Sequence, residues 1–202
     1  MAEMNAISRF FVNTFEARRN ARLYGWLAAN LSLPAGAVCL EVGCGNGNMA
    51  ALIVDGMAPA RYVATDLDPR QIESARRHLA ARYPEGVPPR LELRPADMLG
   101  LPFPDASFDV VFAFVAIHHA SPDHHDFTGV PRALGEIDRV LRPGGILAYQ
   151  EFVHKEGIRA WLLARGYRLQ ASARGWTREA AVFSKGAQGR GREAGVRPAA
   201  KP

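Results

Sequence analysis

Short apolar runs alternate with longer stretches that carry helix signals through the middle of the chain. Runs that suit buried strands lie at 37–42, 61–66, 90–95, 108–115 and 146–151. The segments 48–57, 69–83 and 131–141 between them favour helices, through their periodicity or their start and stop residues. Because alternating strands and helices form a parallel sheet covered on both faces, the pattern predicts a doubly wound α/β domain.

The two ends of the chain differ from this alternating middle. Residues 1–33 carry aromatic and aliphatic positions at helical spacing, which predicts an N-terminal helix that packs on the domain as a lid. After strand five, residues 155–165 favour a helix, and 167–173 and 179–184 favour two strands joined by a turn. We therefore divide the chain into a helical lid (1–36), a main domain (37–186) and a disordered basic tail (187–202) that lacks large apolar residues.

The net charge and the cysteines narrow the function classes only slightly. The chain has 202 residues and a net charge of +5, and the segment 185–202 holds five basic residues against one acidic residue. The basic character therefore lies mostly in the tail and is weak evidence for nucleic-acid binding by the folded body. Cys39 and Cys44 have no zinc-type spacing, so we expect no metal from them. With no secretory signal and no transmembrane run of 18 apolar residues, we expect a cytoplasmic protein.

A glycine-rich turn follows the first predicted strand. Gly43, Gly45 and Gly47 occupy alternate positions between an apolar run and a helix that begins at once. Glycine permits a tight turn and the close approach of a ligand, and the helix N-terminus offers free N–H groups. The turn alone predicts a nucleotide-type ligand, and a simple strand-to-helix connection remains an alternative.

Two acids follow the next two strands. Asp66 lies 19 residues beyond Gly47 at the end of strand two, where a carboxylate can accept both hydroxyls of an adenosine ribose. Asp97 follows strand three, where it can accept the adenine amino group or simply cap a loop. Because Asp68 precedes Pro69, we expect it to cap the next helix instead.

Four segments together resemble the class I S-adenosylmethionine-dependent methyltransferases. The similarity is strongest to the small-molecule branch that includes ubiquinone-biosynthesis-type enzymes, and it covers roughly residues 37–184. The carrying segments are 41–47 (Glu-Val-Gly-Cys-Gly-Asn-Gly), 64–69 (Ala-Thr-Asp-Leu-Asp-Pro), 95–109 and 136–145, which ends in Leu-Arg-Pro-Gly-Gly.

The resemblance implies a seven-stranded, mostly parallel sheet with an antiparallel final strand. It also implies that S-adenosylmethionine is the cofactor and S-adenosylhomocysteine the product. In this sequence Asp66 would bind the ribose and Asp97 the adenine amino group. Glu41 would either orient the glycine turn or reach the methionine amine through water. The full set of implied cofactor-binding residues is Glu41, Gly43, Cys44, Gly45, Asn46, Asp66, Leu67, Asp97, Met98 and Phe114.

A histidine-rich loop follows strand four and holds four of the six histidines. We weigh three interpretations: a structural loop in which His119 packs, a general base at His118 or His119, and a metal site from His118, His124, His125 and Asp126. Imidazole titrates near neutral pH, which suits a base. Adjacent histidines diverge on an extended chain, so we expect no metal and name His119 and His118 as the candidate catalytic residues.

The acceptor of the methyl group is the least explicit feature. A nucleic-acid enzyme often carries Asp/Asn-Pro-Pro-Tyr/Phe after strand four, and residues 114–117 read Phe-Val-Ala-Ile instead, so we expect a small-molecule acceptor. Only residues 152–166 separate strand five from the final hairpin, so the N-terminal helix, the loop after strand four or a second subunit must supply the acceptor wall. We expect a monomer or a homodimer.

Other functions remain as alternatives. Asn48 stands where a G-x-G-x-x-G dinucleotide fingerprint needs glycine, which argues against a nicotinamide dehydrogenase. A protein that binds S-adenosylmethionine without catalysis or activates a partner, and an RNA or protein methyltransferase, stay open.

Overall fold

A computed structural model describes the backbone of residues 6–175 and 177–187, and side chains from residue 17 onwards. The helices are α1 (Ala6–Asn30), α2 (Asn48–Met57), α3 (Pro69–Arg82), α4 (Val130–Val140) and α5 (Lys155–Ala164). The strands are β1 (Val38–Val42), β2 (Arg61–Asp66), β3 (Leu91–Pro95), β4 (Phe108–Phe114), β5 (Leu141–Glu151), β6 (Arg168–Arg174) and β7 (Glu179–Ser184). Residues 188–202 of the proposed tail (187–202) and the aromatic positions before residue 17 lie outside the described side chains.

Within the described chain, the strands form one seven-stranded sheet in the order β3-β2-β1-β4-β5-β7-β6. Strands β1 to β5 pair in parallel, whereas β7 pairs antiparallel with β5 and with β6. The predicted doubly wound, seven-stranded fold with an antiparallel final strand is confirmed. The order reverses direction at β1, so the carboxyl ends of β1 and β4 border a crevice where ligands bind in such sheets.

Apolar side chains cover both faces of the sheet. One face packs against α1, α2 and α3 through residues such as Leu27, Ile53 and Ile72, all nearly or fully buried. The other face packs against α4 and α5 through Leu134 and Ile158. Burial of both faces explains why β1, β2 and β4 read as continuous apolar runs instead of alternating ones.

Local signals set the starts of α2 and α3. Gly47 adopts a left-handed conformation (φ 74°) and turns the chain directly into α2. Asp68 caps α3 as predicted, since its side chain accepts a hydrogen bond from the backbone N–H of Arg70 at 2.8 Å and Pro69 follows.

Two segments differ from the sequence prediction. Strand β5 begins at Leu141, five residues before the predicted start, because Leu141 pairs with Phe108 across an irregularity in the ladder. The segment Ile117–Ala120 forms a short 3₁₀ helix, where the sequence analysis expected an extended loop. Among the described residues, no helix has both the length and the apolar character needed to cross a bilayer.

Candidate functional site

The glycine turn after β1 is held by backbone hydrogen bonds to β2. The Cys44 N–H donates to the Thr65 carbonyl at 2.8 Å, and the Gly45 N–H donates to Oδ2 of Asp66 at 2.9 Å. A Cβ built at Gly43 (φ +70°) would lie 2.5 Å from the Cβ of Ala116. Only glycine therefore fits where the turn approaches the end of β4.

Glu41 is a fully buried acid at the end of β1, beside this turn. Its Oε2 accepts a hydrogen bond from the Tyr62 hydroxyl at 2.9 Å. Burial raises the pKa of the Glu41 carboxyl to about 8, and the nearby Asp66 adds to the rise. The side chain therefore holds its proton at neutral pH until a cation approaches.

Asp66 joins the glycine turn to the start of α3. Its Oδ2 accepts from the Gly45 N–H, and its Oδ1 accepts from the Asp68 N–H at 3.0 Å. Each carboxylate oxygen can accept a further hydrogen bond, so both oxygens remain available to a ligand. The neighbouring Leu67 is 66% exposed and places an apolar side chain at the rim of the cavity.

Asp97 lies in the loop after β3. Its Oδ1 accepts from the Leu99 N–H at 2.8 Å, so the loop-capping interpretation of this residue is correct as far as that oxygen is concerned. Among the described residues, no donor forms a hydrogen bond with its other oxygen, Oδ2. Asp97 is exposed, and the adjacent Met98 is partly buried.

A cavity of about 650 Å³ lies at the carboxyl edge of the sheet, in the range of small-molecule and cofactor sites. The structure brings every predicted cofactor-binding residue and His119 to its wall. The lining includes Glu41, Gly43, Cys44, Gly45, Asn46, Asp66, Leu67, Asp97, Met98, Phe114 and His119.

His118 does not line this cavity. Its ring is 3% exposed, and its Nδ1 lies 2.9 Å from Oε2 of the buried Glu151. The other oxygen of Glu151 accepts the Ile117 N–H at 2.7 Å. The pair fixes the 3₁₀ helix to the end of β5, which favours a structural role for His118 over the base role that the sequence also allowed.

His119 is the imidazole at the cavity wall. Burial lowers its pKa, and the neighbouring His118 and His124 lower it further. The lowered pKa favours the neutral ring, which can accept a proton.

Three imidazoles converge beside the cavity. One ring nitrogen from each of His118, His119 and His124 lies within 4.8 Å of the others, close enough for a metal ion. The grouping arises because the 3₁₀ helix brings adjacent rings to 4.1 Å, whereas an extended chain would separate them. His125 and Asp126, which the sequence analysis placed in a possible metal set, are not in this group.

The sequence analysis missed several residues of the wall. Arg19, Asn20 and Leu23 come from α1, and Gln150 from the end of β5. Gln150 had a recognisable signal, since it is a polar residue near the carboxyl end of an apolar strand. For α1, the sequence indicated the helix as a possible wall but not which of its residues line it, because their position depends on how α1 packs against the sheet edge.

The fold, the glycine turn and the acids after β2 and β3 define the class I S-adenosylmethionine-dependent methyltransferases. A family model described as "Methyltransferase domain" matches residues 40–149. The chain therefore belongs to this methyltransferase family, with S-adenosylmethionine as its cofactor.

Curated relatives agree with this assignment. The phthiotriol/phenolphthiotriol dimycocerosates methyltransferase of Mycobacterium leprae (strain TN) is 35% identical over 145 residues, covering 71% of this chain and 48% of that protein. The 27-O-demethylrifamycin SV methyltransferase of Amycolatopsis mediterranei (strain S699) is 38% identical over 135 residues, covering 65% of this chain and 44% of that protein. The chain thus spans about half the length of these relatives.

A solved structure shows the same fold at lower identity. The crystal structure of the cyclase SpnF has a TM-score of 0.68 and 20% identity, covering 83% of this chain and 81% of that one. At this identity the likeness concerns the fold alone, so the chemistry must be argued from the site itself.

Proposed function

We propose that this protein binds S-adenosylmethionine in the 650 Å³ cavity and transfers its methyl group to a small-molecule acceptor. The observation that carries the proposal is the meeting of the glycine turn, Asp66 and Asp97 at one cavity wall. The names of the relatives support a small-molecule acceptor, since they refer to a mycobacterial lipid and a rifamycin. The ubiquinone-biosynthesis-like branch stays a prediction.

The adenosine half of the cofactor fits the rim formed after β2 and β3. Asp66 would accept the ribose hydroxyls through the lone pairs that its backbone partners leave available. Asp97 would accept the adenine amino group through Oδ2, which the loop does not use. The exposed Leu67 and the neighbouring Met98 supply apolar surface for the adenine ring.

The methionine half fits the glycine turn. Gly43 and Gly45 let the backbone approach the ligand, and a side chain at Gly43 would collide with Ala116. Glu41 would face the amine, directly or through water, and would lose its proton as the cation binds. Cys44 and Asn46 complete this part of the wall, and burial raises the pKa of the Cys44 thiol, so it stays protonated and unreactive.

The methyl group would then lie near Phe114 and His119, at the ends of β4 and the 3₁₀ helix. S-adenosylmethionine supplies an already activated methyl group. The protein's task is therefore to align the acceptor in line with it and to exclude water. We further propose that the neutral His119 accepts the acceptor's proton when the nucleophile must lose one.

A crystal structure with S-adenosylhomocysteine tests this placement. We expect the ribose hydroxyls at Asp66, the adenine amino group at Asp97 and the sulfur facing Phe114. A ligand bound outside this cavity, or an adenosine that contacts neither acid, would overturn the proposal. Methyl transfer from labelled cofactor to an acceptor library then separates an enzyme from a non-catalytic binding protein.

A further inference from the structure

A second cavity of about 550 Å³ lies between α1 and the turn that joins β6 to β7. Leu23 and Trp26 of α1 give it an apolar side. Glu151 at the carboxyl end of β5 pairs with Glu179 at the start of β7, so this turn lies at the same sheet edge as the cofactor cavity. The second cavity is therefore on the side of the molecule where the methyl group is transferred.

The described side chains that line this second cavity are strongly basic. They include five arginines and no acidic residue: Arg18, Arg19, Arg22, Arg174 and Arg178. Outside the wall, Glu156 and Glu179 pair with Arg174 at 3.2 and 3.3 Å. Glu179 also pairs with Arg159, and among the described residues neither Arg22 nor Arg178 has an ion-pair partner.

Arg178 is a positively charged side chain of this wall, and one of its nitrogens lacks a partner among the described residues. Its guanidinium lies over the Phe152 ring at 5.6 Å, and its Nη1 is buried without a hydrogen-bond partner in the described part of the chain. Burial and the nearby charge of Arg19 lower the Arg178 pKa, and the nearby Glu151 offsets only part of this shift. A buried guanidinium N–H without an acceptor is costly, and an anionic ligand would supply one.

The two cavities adjoin each other. Arg19, Leu23 and Gln150 line both of them. A ligand held in the second cavity can thus reach past Gln150 towards the place proposed for the methyl group. The volume of the second cavity suits a small molecule and is too small for a folded macromolecule.

We propose that the second cavity binds the anionic group, a carboxylate or a phosphate, of the methyl acceptor. Arg22 and Arg178 hold the anion, and Leu23 and Trp26 contact the apolar body of the acceptor. The inference rests on the proposed function and adds the acceptor's charge class to it. It also places the acceptor wall in α1 and the β6–β7 turn, since the short segment 152–166 after β5 leaves little chain to form one.

Calorimetric titration of the full chain tests the anion site without knowledge of the acceptor. The probes are pyrophosphate and citrate, each titrated with and without saturating S-adenosylhomocysteine. We compare the wild type with Arg22→Gln/Arg178→Gln, whose residues line only the second cavity. The matched control is Arg76→Gln/Arg77→Gln, which removes the same charge from the exposed surface of α3.

We expect at least one probe to bind the wild type at one site per chain. The cavity variant should weaken that binding roughly tenfold to hundredfold, since hydrogen bonds to charged groups are lost. The control should change it less than about twofold, because exposed charges contribute little. Pyrophosphate binding alone would assign a phosphate, and citrate binding alone a carboxylate.

Several outcomes would overturn the proposal. One is that neither probe binds, and another is that the cavity variant and the control lose affinity for the probe equally. A third is that the probe displaces S-adenosylhomocysteine, which would assign the arginines to the cofactor. Arginine-dependent binding of a single-stranded RNA oligomer without small-anion binding would replace the proposal with a nucleic-acid site. Failure of S-adenosylhomocysteine itself to bind would instead contradict the proposed function, and circular dichroism of each variant confirms folding.

Discussion

The two adjoining cavities are built in different ways. The cofactor cavity consists of strand ends: a glycine turn after β1, Asp66 after β2 and Asp97 after β3. The second cavity consists of arginines from α1 and from the β6–β7 turn, which are some 150 residues apart in the chain. The first would recognise its ligand with backbone groups and fixed carboxylates, and the second would do so with long cationic side chains. Within one domain, the proposed cofactor site thus borders the proposed acceptor site.

The largest expected effect concerns His119, at the cofactor-cavity wall. Replacement by alanine should lower turnover roughly 10²- to 10⁴-fold for an acceptor that must lose a proton, since a general base is removed. The affinity for S-adenosylhomocysteine should stay within about twofold, because the ring lies beside the ligand without anchoring it. The assay is methyl transfer to an acceptor found by screening.

His125→Ala is the matched control for this experiment. His125 lies in the same loop, is exposed and does not line the cofactor cavity. Its loss should leave turnover unchanged. Equal turnover in the wild type and the His119 variant would remove the base hypothesis and leave His119 as a packing residue.

Gly43→Ala should nearly abolish cofactor binding. The new Cβ would collide with Ala116 at 2.5 Å in a left-handed backbone conformation. Strain and overpacking of this kind cost about 1–3 kcal/mol each, so affinity should fall about a hundredfold or more. Gly36→Ala is the control, since Gly36 has the same sign of φ but open space around it. Normal affinity in the Gly43 variant would show that the turn does not hold the ligand.

Asp66 and Asp68 separate ligand binding from helix capping. Asp66→Ala should weaken S-adenosylhomocysteine binding roughly tenfold to hundredfold, because it removes acceptors for the ribose and for the Gly45 N–H. Asp68→Ala should instead lower the free energy of unfolding by ~1 kcal/mol through loss of the α3 cap. Calorimetry and thermal unfolding of both variants measure the two effects. A larger affinity loss in the Asp68 variant would reverse the assignment.

The smallest expected effect is the pH dependence contributed by Glu41. Its carboxyl, with a pKa of about 8 in the free protein, holds a proton at neutral pH, and a bound amine favours the ionised form. The affinity for S-adenosylhomocysteine should therefore rise from pH 6 to pH 8 and then level off. Binding at pH 7 should release a proton, which calorimetry in buffers of different ionisation enthalpy detects. Glu41→Gln should abolish this release, and release that persists in the variant would assign it to another group.

Local sequence signals explain how much could be predicted. The starts of α2 and α3 follow from the glycine turn and from Asp68-Pro69, which begin these helices at single residues. The grouping of the proposed cofactor residues around one cavity could be predicted, because parallel strands bring their carboxyl ends to one edge. The orientation of the His118 ring could not be predicted, since it depends on Glu151, 33 residues away. The arginine-lined second cavity could not be predicted either, because the sheet order β5-β7-β6 places the β6–β7 turn beside α1.

The most direct test of the central claim is calorimetric titration of the intact chain with S-adenosylhomocysteine. We predict saturable binding at one site per chain, lost or strongly weakened in the Gly43 and Asp66 variants and retained when Arg22 and Arg178 are replaced. The absence of binding to the folded protein at millimolar ligand would contradict the assignment of the strand-edge cavity to the methyl donor.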